Sequence, residues 1–414
     1  MNTPSNDLTR HEPGLAESLR ALPGTAWILF LGVFLNKFGT FVIPFLTLYL
    51  TRQGYSIARA GLAVGAYGVG HLAASLAGGW MADTVGRRRT IVFSMVSGAV
   101  SMLLLSQART FPTILILTWL TGLTGELYRP ASSALIADLV APSLRITAYS
   151  AYRLAFNAGW AFGPAMAGFL AAYGFGWLFV GDAATSALFA VVAWRALPPS
   201  HSVVRERRGS EAMRALRHDR RFAWMLLAAF FMATLFFQIG STLSLYTTRV
   251  GLSATCYGVL LSLNGALVAL CELPVTTVTR RFPARAMIAL GYALAGLGIG
   301  LIATTQTVPG LVTCMVLLTL GEMVAMPVCA AYVADLAPPH LRGRYLGVYA
   351  MTWSGGMMIG PALGMRLFVI QPALVWICFG GLGFAASAIV LAAPQARPIS
   401  TPTDGNLLPR NQPL

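Results

Sequence analysis

The sequence predicts an all-α membrane protein: twelve transmembrane helices in two pseudo-symmetric six-helix bundles. Three observations carry that expectation. Of 414 residues, 56% are hydrophobic and only 10% charged, with a mean hydropathy of +0.68, whereas a soluble domain is about 25% charged. Apolar runs near the ~20 residues needed to cross hydrocarbon recur along the chain. The two halves of the chain also repeat one another. The composition excludes a soluble globular enzyme, a disordered chain and a coiled coil.

The first run, 26–49, follows a polar, proline-bearing stretch that lacks a signal-peptide pattern, so this run itself is expected to direct insertion. Next come 60–82, the short 90–106, 113–138, 146–172 and 177–194. The polar segment 195–221 interrupts the series, and its Ala212–Arg221 stretch is compatible with a short surface helix. The second set is 222–248, 257–280, the glycine-rich 285–304, 309–336, 345–368 and 374–393. None alternates with period two, and all are too long for barrel strands. Helices are then the way to satisfy backbone groups in lipid. The expected division is a tail 1–24, a bundle 25–195, a linker 196–221, a bundle 222–394 and a tail 395–414. Cys256, Cys271, Cys314, Cys329 and Cys378 are odd in number and lie in or beside apolar runs, so they read as small apolar residues. No metal cluster is expected.

The net charge of +15 needs an explanation other than nucleic acid, whose binders carry a dense polar basic patch. With the N-terminus inside, the inside loops collect Arg87, Arg88, Arg89, Arg145, Arg280, Arg281, Arg285, Arg342, Arg344 and the arginines of 195–221. The outside receives only Arg52, Arg59, Arg109, Arg249 and Arg366. The bias places both termini in the cytoplasm under the positive-inside rule, with some attraction to anionic lipid.

The repeat is explicit in four pairs. Pro130 and Pro327, Asp138 and Asp335, Arg145 and Arg342, and Gly163-Pro164 and Gly360-Pro361 each stand 197 residues apart. Gly125-Glu126 and Gly321-Glu322 match with one residue of slip. A parallel repeat of two six-helix halves builds many secondary transporters, with the substrate at the interface between them.

After the second run the chain reads Gly79-Trp80-Met81-Ala82-Asp83-Thr84-Val85-Gly86-Arg87-Arg88-Arg89. Gly79 and Gly86 permit close packing and a tight turn. This loop resembles the signature loop of the major facilitator superfamily, and the resemblance extends over about residues 25–393. It implies the major facilitator fold and a cytoplasmic gate in which Asp83 meets the start of the eleventh helix and Arg87 or Arg88 meets Asp138. In the second half Arg280 stands where the acid would be, leaving Arg280, Arg281 or Arg285 to pair with Asp335, near Arg342. Gly159, Gly163, Pro164 and Gly168 resemble the antiporter motif of drug:proton exporters, with Gly356, Gly360 and Pro361 as its echo. Ordinary small-residue packing is the other reading of that motif. The arginine that exporters of this kind often carry in the fourth helix is absent, since Thr118 and Thr121 occupy those places.

Ionisable residues inside apolar runs are costly and should face the bundle interior with a partner. They are Lys37, His71, Glu126, Arg129, Arg153, Glu272 and Glu322. The resemblance lines the central cavity with helices 1, 4, 7 and 10, three of which hold Lys37, Glu126 and Glu322. Lys37 is the only lysine in the chain, which suits a group that titrates or a point-charge partner of Glu126 or Glu322. Glu126 and Arg129 can neutralise one another at i, i+3. Glu322 has no basic neighbour on its own helix and leads the candidates for proton coupling, followed by Glu126, Lys37, Glu272 and His71. A substrate cavity is expected from Lys37, Phe41, Tyr67, His71, Arg129, Arg153, Phe237 and Glu322, with Phe45, Tyr49, Phe230, Phe231 and Tyr246 as further aromatics.

The expected function is proton-coupled export of amphipathic small molecules by alternating access, in a bacterial inner membrane. The partners would be lipid, a small-molecule substrate and protons, with no nucleic acid, no cofactor beyond the proton gradient, and a monomer. Proton-coupled uptake of a small metabolite and a non-transporting membrane sensor are the alternatives. No nucleotide loop, metal cluster or nucleophile constellation suggests an enzyme.

Overall fold

The structure is a computed structural model that describes residues 15–199, 219–338 and 341–394. Most of the linker 196–221, including most of Ala212–Arg221, the tail 395–414 and the first 14 residues lie outside the described residues. Within them the chain is helical, with no strand.

A short α1 (Leu15–Arg20) precedes the first run, which is broken into α2 (Gly24–Phe38) and α3 (Val42–Arg52). Then come α4 (Ile57–Thr84) and α5 (Arg87–Gln107). The fourth run is also broken, into α6 (Phe111–Glu126) and α7 (Tyr128–Leu139), and is followed by α8 (Arg145–Tyr173) and α9 (Gly176–Ala196). In the second half the run expected at 222–248 divides into α10 (Arg220–Phe236) and α11 (Thr242–Arg249). The remaining helices are α12 (Ala254–Thr279), α13 (Ala284–Leu301), α14 (Val308–Leu336), α15 (Arg342–Ile370) and α16 (Pro372–Ala392). Three expected continuous spans are therefore discontinuous. Each break is only one to five residues long, too short to interrupt the hydropathy of the run around it.

Among the described residues nine helices are long and apolar enough to cross a membrane, counting α2 with α3 as one. The pieces α6, α7, α10 and α11 are 16, 12, 17 and 8 residues long, each shorter than the ~20 residues of a full span.

The repeat is visible at the turns. Ser56 Oγ accepts from Arg59 N at the start of α4, and Ser253 Oγ accepts from Cys256 N at the start of α12. The turns before them place Gly54 at φ +87° and Gly251 at φ +81°, conformations that favour glycine. Each of these pairs stands 197 residues apart, like the sequence repeat.

The halves join where α4 packs on α15 and α8 packs on α12. Gly61 faces Pro361 and Met365, Gly65 and Gly68 face Met358, Gly258 faces Pro164, and Gly265 faces Ala161. Tyr257 donates to the carbonyl of Pro44, and Thr255 donates to that of Gly168. These contacts gather at the end of the bundle that carries loops 53–56 and 250–253. Glycine lets the backbones approach within contact there, which is how helices associate without a hydrophobic drive in lipid.

Candidate functional site

The breaks in the first and fourth runs lie side by side and build a buried charge cluster. Lys37 closes the last turn of α2, and Glu126 is the last residue of α6. Lys37 Nζ lies 3.0 Å from Glu126 Oε1, and both side chains are more than nine-tenths buried. Tyr67 of α4 donates to the same oxygen at 3.1 Å. The other carboxylate oxygen faces His71 Nε2 at 3.8 Å and Arg129 Nη1 at 3.7 Å. The ammonium of Lys37 also lies 5.5 Å from the Tyr128 ring centroid and 5.2 Å from that of Phe156, with Arg129 over the same Phe156 ring. The π faces add attraction for both cations. Of the two acids open to Lys37 in the sequence, it pairs with Glu126.

His71 links this cluster to the opposite half. Arg129 donates to its Nε2 at 3.0 Å, so that nitrogen is the acceptor. Nδ1 then carries the proton and donates to Ser354 Oγ of α15 at 2.9 Å. The tautomer is assigned from this network. A second tie between the halves, this one ionic, joins Arg153 of α8 to Glu272 of α12, so Arg153 bonds an acid 119 residues away.

Glu322 stands apart. Its Oε2 accepts from Asn264 Nδ2 at 2.8 Å, and Asn264 also donates to Thr319 Oγ1. No salt bridge reaches Glu322 among the described residues.

The sequence reading passed over Asp182. This buried acid of α9 accepts from the backbone N–H of Phe41 at 3.2 Å and of Val42 at 3.4 Å, across the break in the first run. An acid alone in the apolar run 177–194 was the available signal. Gln238 plays the related part in the second half, donating to the carbonyls of Thr234 and Gly360 and accepting from Thr242 at the break between α10 and α11.

Several expected cavity aromatics are packing residues instead. Phe41 is buried edge-on to Phe38, with Gly181 beneath it. Phe237 packs on Phe236 and Trp353, and Tyr246 bonds the carbonyls of Ile302 and Thr305. Phe45 lies against Tyr257, and Tyr49 against Phe175 and Phe179. Phe230 and Phe231 face one another.

At the gate loop, Arg87 Nε lies 3.1 Å from Asp138 and Arg87 Nη2 lies 3.9 Å from Asp83. Gly86, at φ +100°, makes the turn, whereas nothing approaches Gly79, so its packing role is not found. Arg88 leaves the gate: it donates to Leu197 O and lies over the Trp194 ring. Arg285 donates to the carbonyls of Val390, Leu391 and Ala393 at the end of α16. Among the described residues no salt bridge joins Asp335 to Arg280, Arg281 or Arg285; the Arg342 side chain lies outside them. Asp138 is 46% exposed but the Arg87 side chain only 9%, so Asp138→Asn, which leaves the buried guanidinium one acceptor short, is expected to cost about 1–3 kcal/mol in thermal unfolding of the purified protein.

The glycine motifs have a common geometry. Gly159 and Gly163 of α8 abut Phe34, Lys37 and Phe38 of α2, and Gly356 and Gly360 of α15 abut Ala233 and Thr234 of α10. Pro164 and Gly168 face α12 instead. The motif thus seats the first and seventh spans beside their breaks.

The sequence profile of the Major Facilitator Superfamily matches residues 29–270 and 247–412. The chain is 26% identical over 381 residues to the uncharacterized MFS-type transporter YqjV of Bacillus subtilis, covering 88% of this chain and 93% of the relative. It is 24% identical to a Na(+), Li(+), K(+)/H(+) antiporter of Planococcus maritimus (84% and 88% covered) and 25% identical to the multidrug resistance protein MdtH of Aeromonas salmonicida (86% and 92% covered). Among solved structures, a POT family transporter in complex with 5-aminolevulinic acid superposes with a TM-score of 0.77 at 15% identity, over 89% of this chain and 96% of the other.

Proposed function

The chain belongs to the Major Facilitator Superfamily, and from that premise we propose that it is a proton-coupled exporter of amphipathic small molecules working by alternating access. It is a multi-pass membrane transporter rather than an enzyme. In this reading the broken and continuous helices make twelve spans, both termini are cytoplasmic, and the membrane is a bacterial inner membrane. The contacts between the halves at loops 53–56 and 250–253 then close the outer end, leaving the Asp83 loop at the open cytoplasmic end.

The observation that carries the reading is Glu322: a carboxylate within a span, held by neutral Asn264, with no salt bridge among the described residues. A carboxyl so placed can take up and release a proton without breaking an ion pair. The tie of Arg153 to Glu272 joins the halves nearer the cytoplasmic ends of α8 and α12, and its rupture would accompany their separation on that side. The match to the multidrug resistance protein MdtH supports export over uptake.

Glu322→Gln is expected to abolish proton movement driven by an added amphipathic dye such as ethidium in proteoliposomes, while ethidium binding remains measurable. Undiminished proton coupling would remove Glu322 from the role. A second reading, proton-driven exchange of alkali cations, is favoured by a cavity of about 30 Å³ whose walls include both Glu126 and Asp182. Proton release on adding sodium rather than dye would select it.

A further inference from the structure

We propose that Asp182 is a second proton-binding site, and that its protonation loosens the hinge in the first span. The proposal rests on the transporter reading for its purpose but on separate residues for its mechanism.

The interruption at Gly39, Thr40 and Phe41 frees backbone N–H groups that no water can satisfy inside a bilayer, at several kcal/mol for each one left unpaired. Pro44, in the first turn of α3, has no N–H to satisfy. The N–H groups of Phe41 and Val42 converge on Asp182 Oδ2 from the next bundle helix, with Phe41 N also reaching Gly39 O at 2.7 Å. An ionised carboxylate also complements the positive N-terminal end of α3. The break is packed against α9 on either side: a Cβ at Gly39 would collide with Thr185, and one at Gly181 with Phe41. The second half lacks such an acid. Phe379 stands 197 residues after Asp182, and the uncharged Gln238 holds the corresponding break. Of the breaks in the first and seventh spans, only that in the first is fastened, among the described residues, by a group that can change charge.

A second observation points to proton traffic at this place. One cavity is lined by Asp182, Glu126, Asn36, Thr40, Tyr67 and Ser186 among others, and its volume of about 30 Å³ admits water. Asn36 Oδ1 and Glu126 Oε2 are buried without a hydrogen-bond donor. The ionisable groups facing Asp182 are Lys37 of α2, Tyr67 of α4 and Glu126 of α6; α5 contributes only Gly98 and Met102. Lys37 is already engaged by Glu126, so Asp182 has two amides and, among the described residues, no salt bridge. Glu126, through Lys37, holds the helix before the break, and Asp182 holds the helix after it. A proton arriving from bulk water and passing through the cavity can neutralise Asp182, weakening its bonds to both amides. Its return to water restores them.

The test is hydrogen exchange of the segment containing Phe41 and Val42 in the full-length purified protein, corrected for the intrinsic pH dependence of exchange. On acidification from about pH 8 to about pH 5, wild-type exchange there is expected to rise about tenfold, the scale of losing bonds to a charged acceptor. Asp182→Asn should exchange fast at both pH values, and Asp182→Glu should restore the pH dependence. A pH-independent wild-type segment overturns the proposal, as does Asp182→Asn following the wild-type profile. If Asp182→Asn does not fold, the wild-type titration and Asp182→Glu decide alone. Loss of dye-driven proton movement in Glu322→Gln with this profile intact would separate the two carboxylates. A normal profile with no dye transport would overturn the exporter reading and leave the hinge assignment standing.

Discussion

Replacing Glu126 by leucine is expected to destabilise the protein by about 3–5 kcal/mol, because it leaves Lys37 buried without its counter-ion. The Lys37 side chain is only 6% exposed and bonds Glu126 at 3.0 Å. The rings of Tyr128 and Phe156 replace only part of the lost attraction. The double variant Lys37→Met with Glu126→Leu removes both charges and fills similar volume, so most of the stability should return. Transport should not return, since the group linking His71 and Arg129 to the first span is gone. Thermal unfolding of the two variants, with ethidium transport in proteoliposomes, reads both outcomes. Equal destabilisation of single and double variants would mean that packing, rather than charge pairing, sets the cost.

The second large effect lies at the interface of the halves. A Cβ at Gly258 would sit 2.2 Å from the carbonyl oxygen of Pro164, and one at Gly68 would sit 2.5 Å from the amide of Met358. Both obstacles are backbone, which cannot rotate away as a side chain can. Gly258→Leu should therefore wedge α12 from α8 and disfavour the closed arrangement at that end. Overpacking costs about 1–3 kcal/mol, so that state should fall about 5- to 150-fold in population. Transport should drop in proportion, while a reagent added from the end of loop 250–253 gains access to the interior. Wild-type transport in Gly258→Leu would show that close packing at this contact is not required in the cycle.

How much of this was legible beforehand follows from what kind of signal each feature leaves. Arg87 meeting Asp138 was readable because the resemblance of the signature loop to that of the major facilitator superfamily implies that pair. The tie of Arg153 to Glu272 was not, because its partners stand 119 residues apart on different halves. Asp182 was missed for a simpler reason: a single acid in an alanine-rich run leaves hydropathy almost unchanged. Phe41, Phe237 and Tyr246 have ring and backbone partners on segments that their own apolar runs do not name.

The sequence by itself determined the membrane class, the repeat of 197 residues and the few ionisable residues that carry mechanism. Those follow from composition and spacing, which survive any arrangement of helices. Only the tertiary structure decided which acid Lys37 bonds, which nitrogen of His71 carries the proton, and that the first span is broken and fastened by Asp182. These depend on distances between segments far apart in the chain, and on where a backbone in lipid finds partners for the amides that a break exposes.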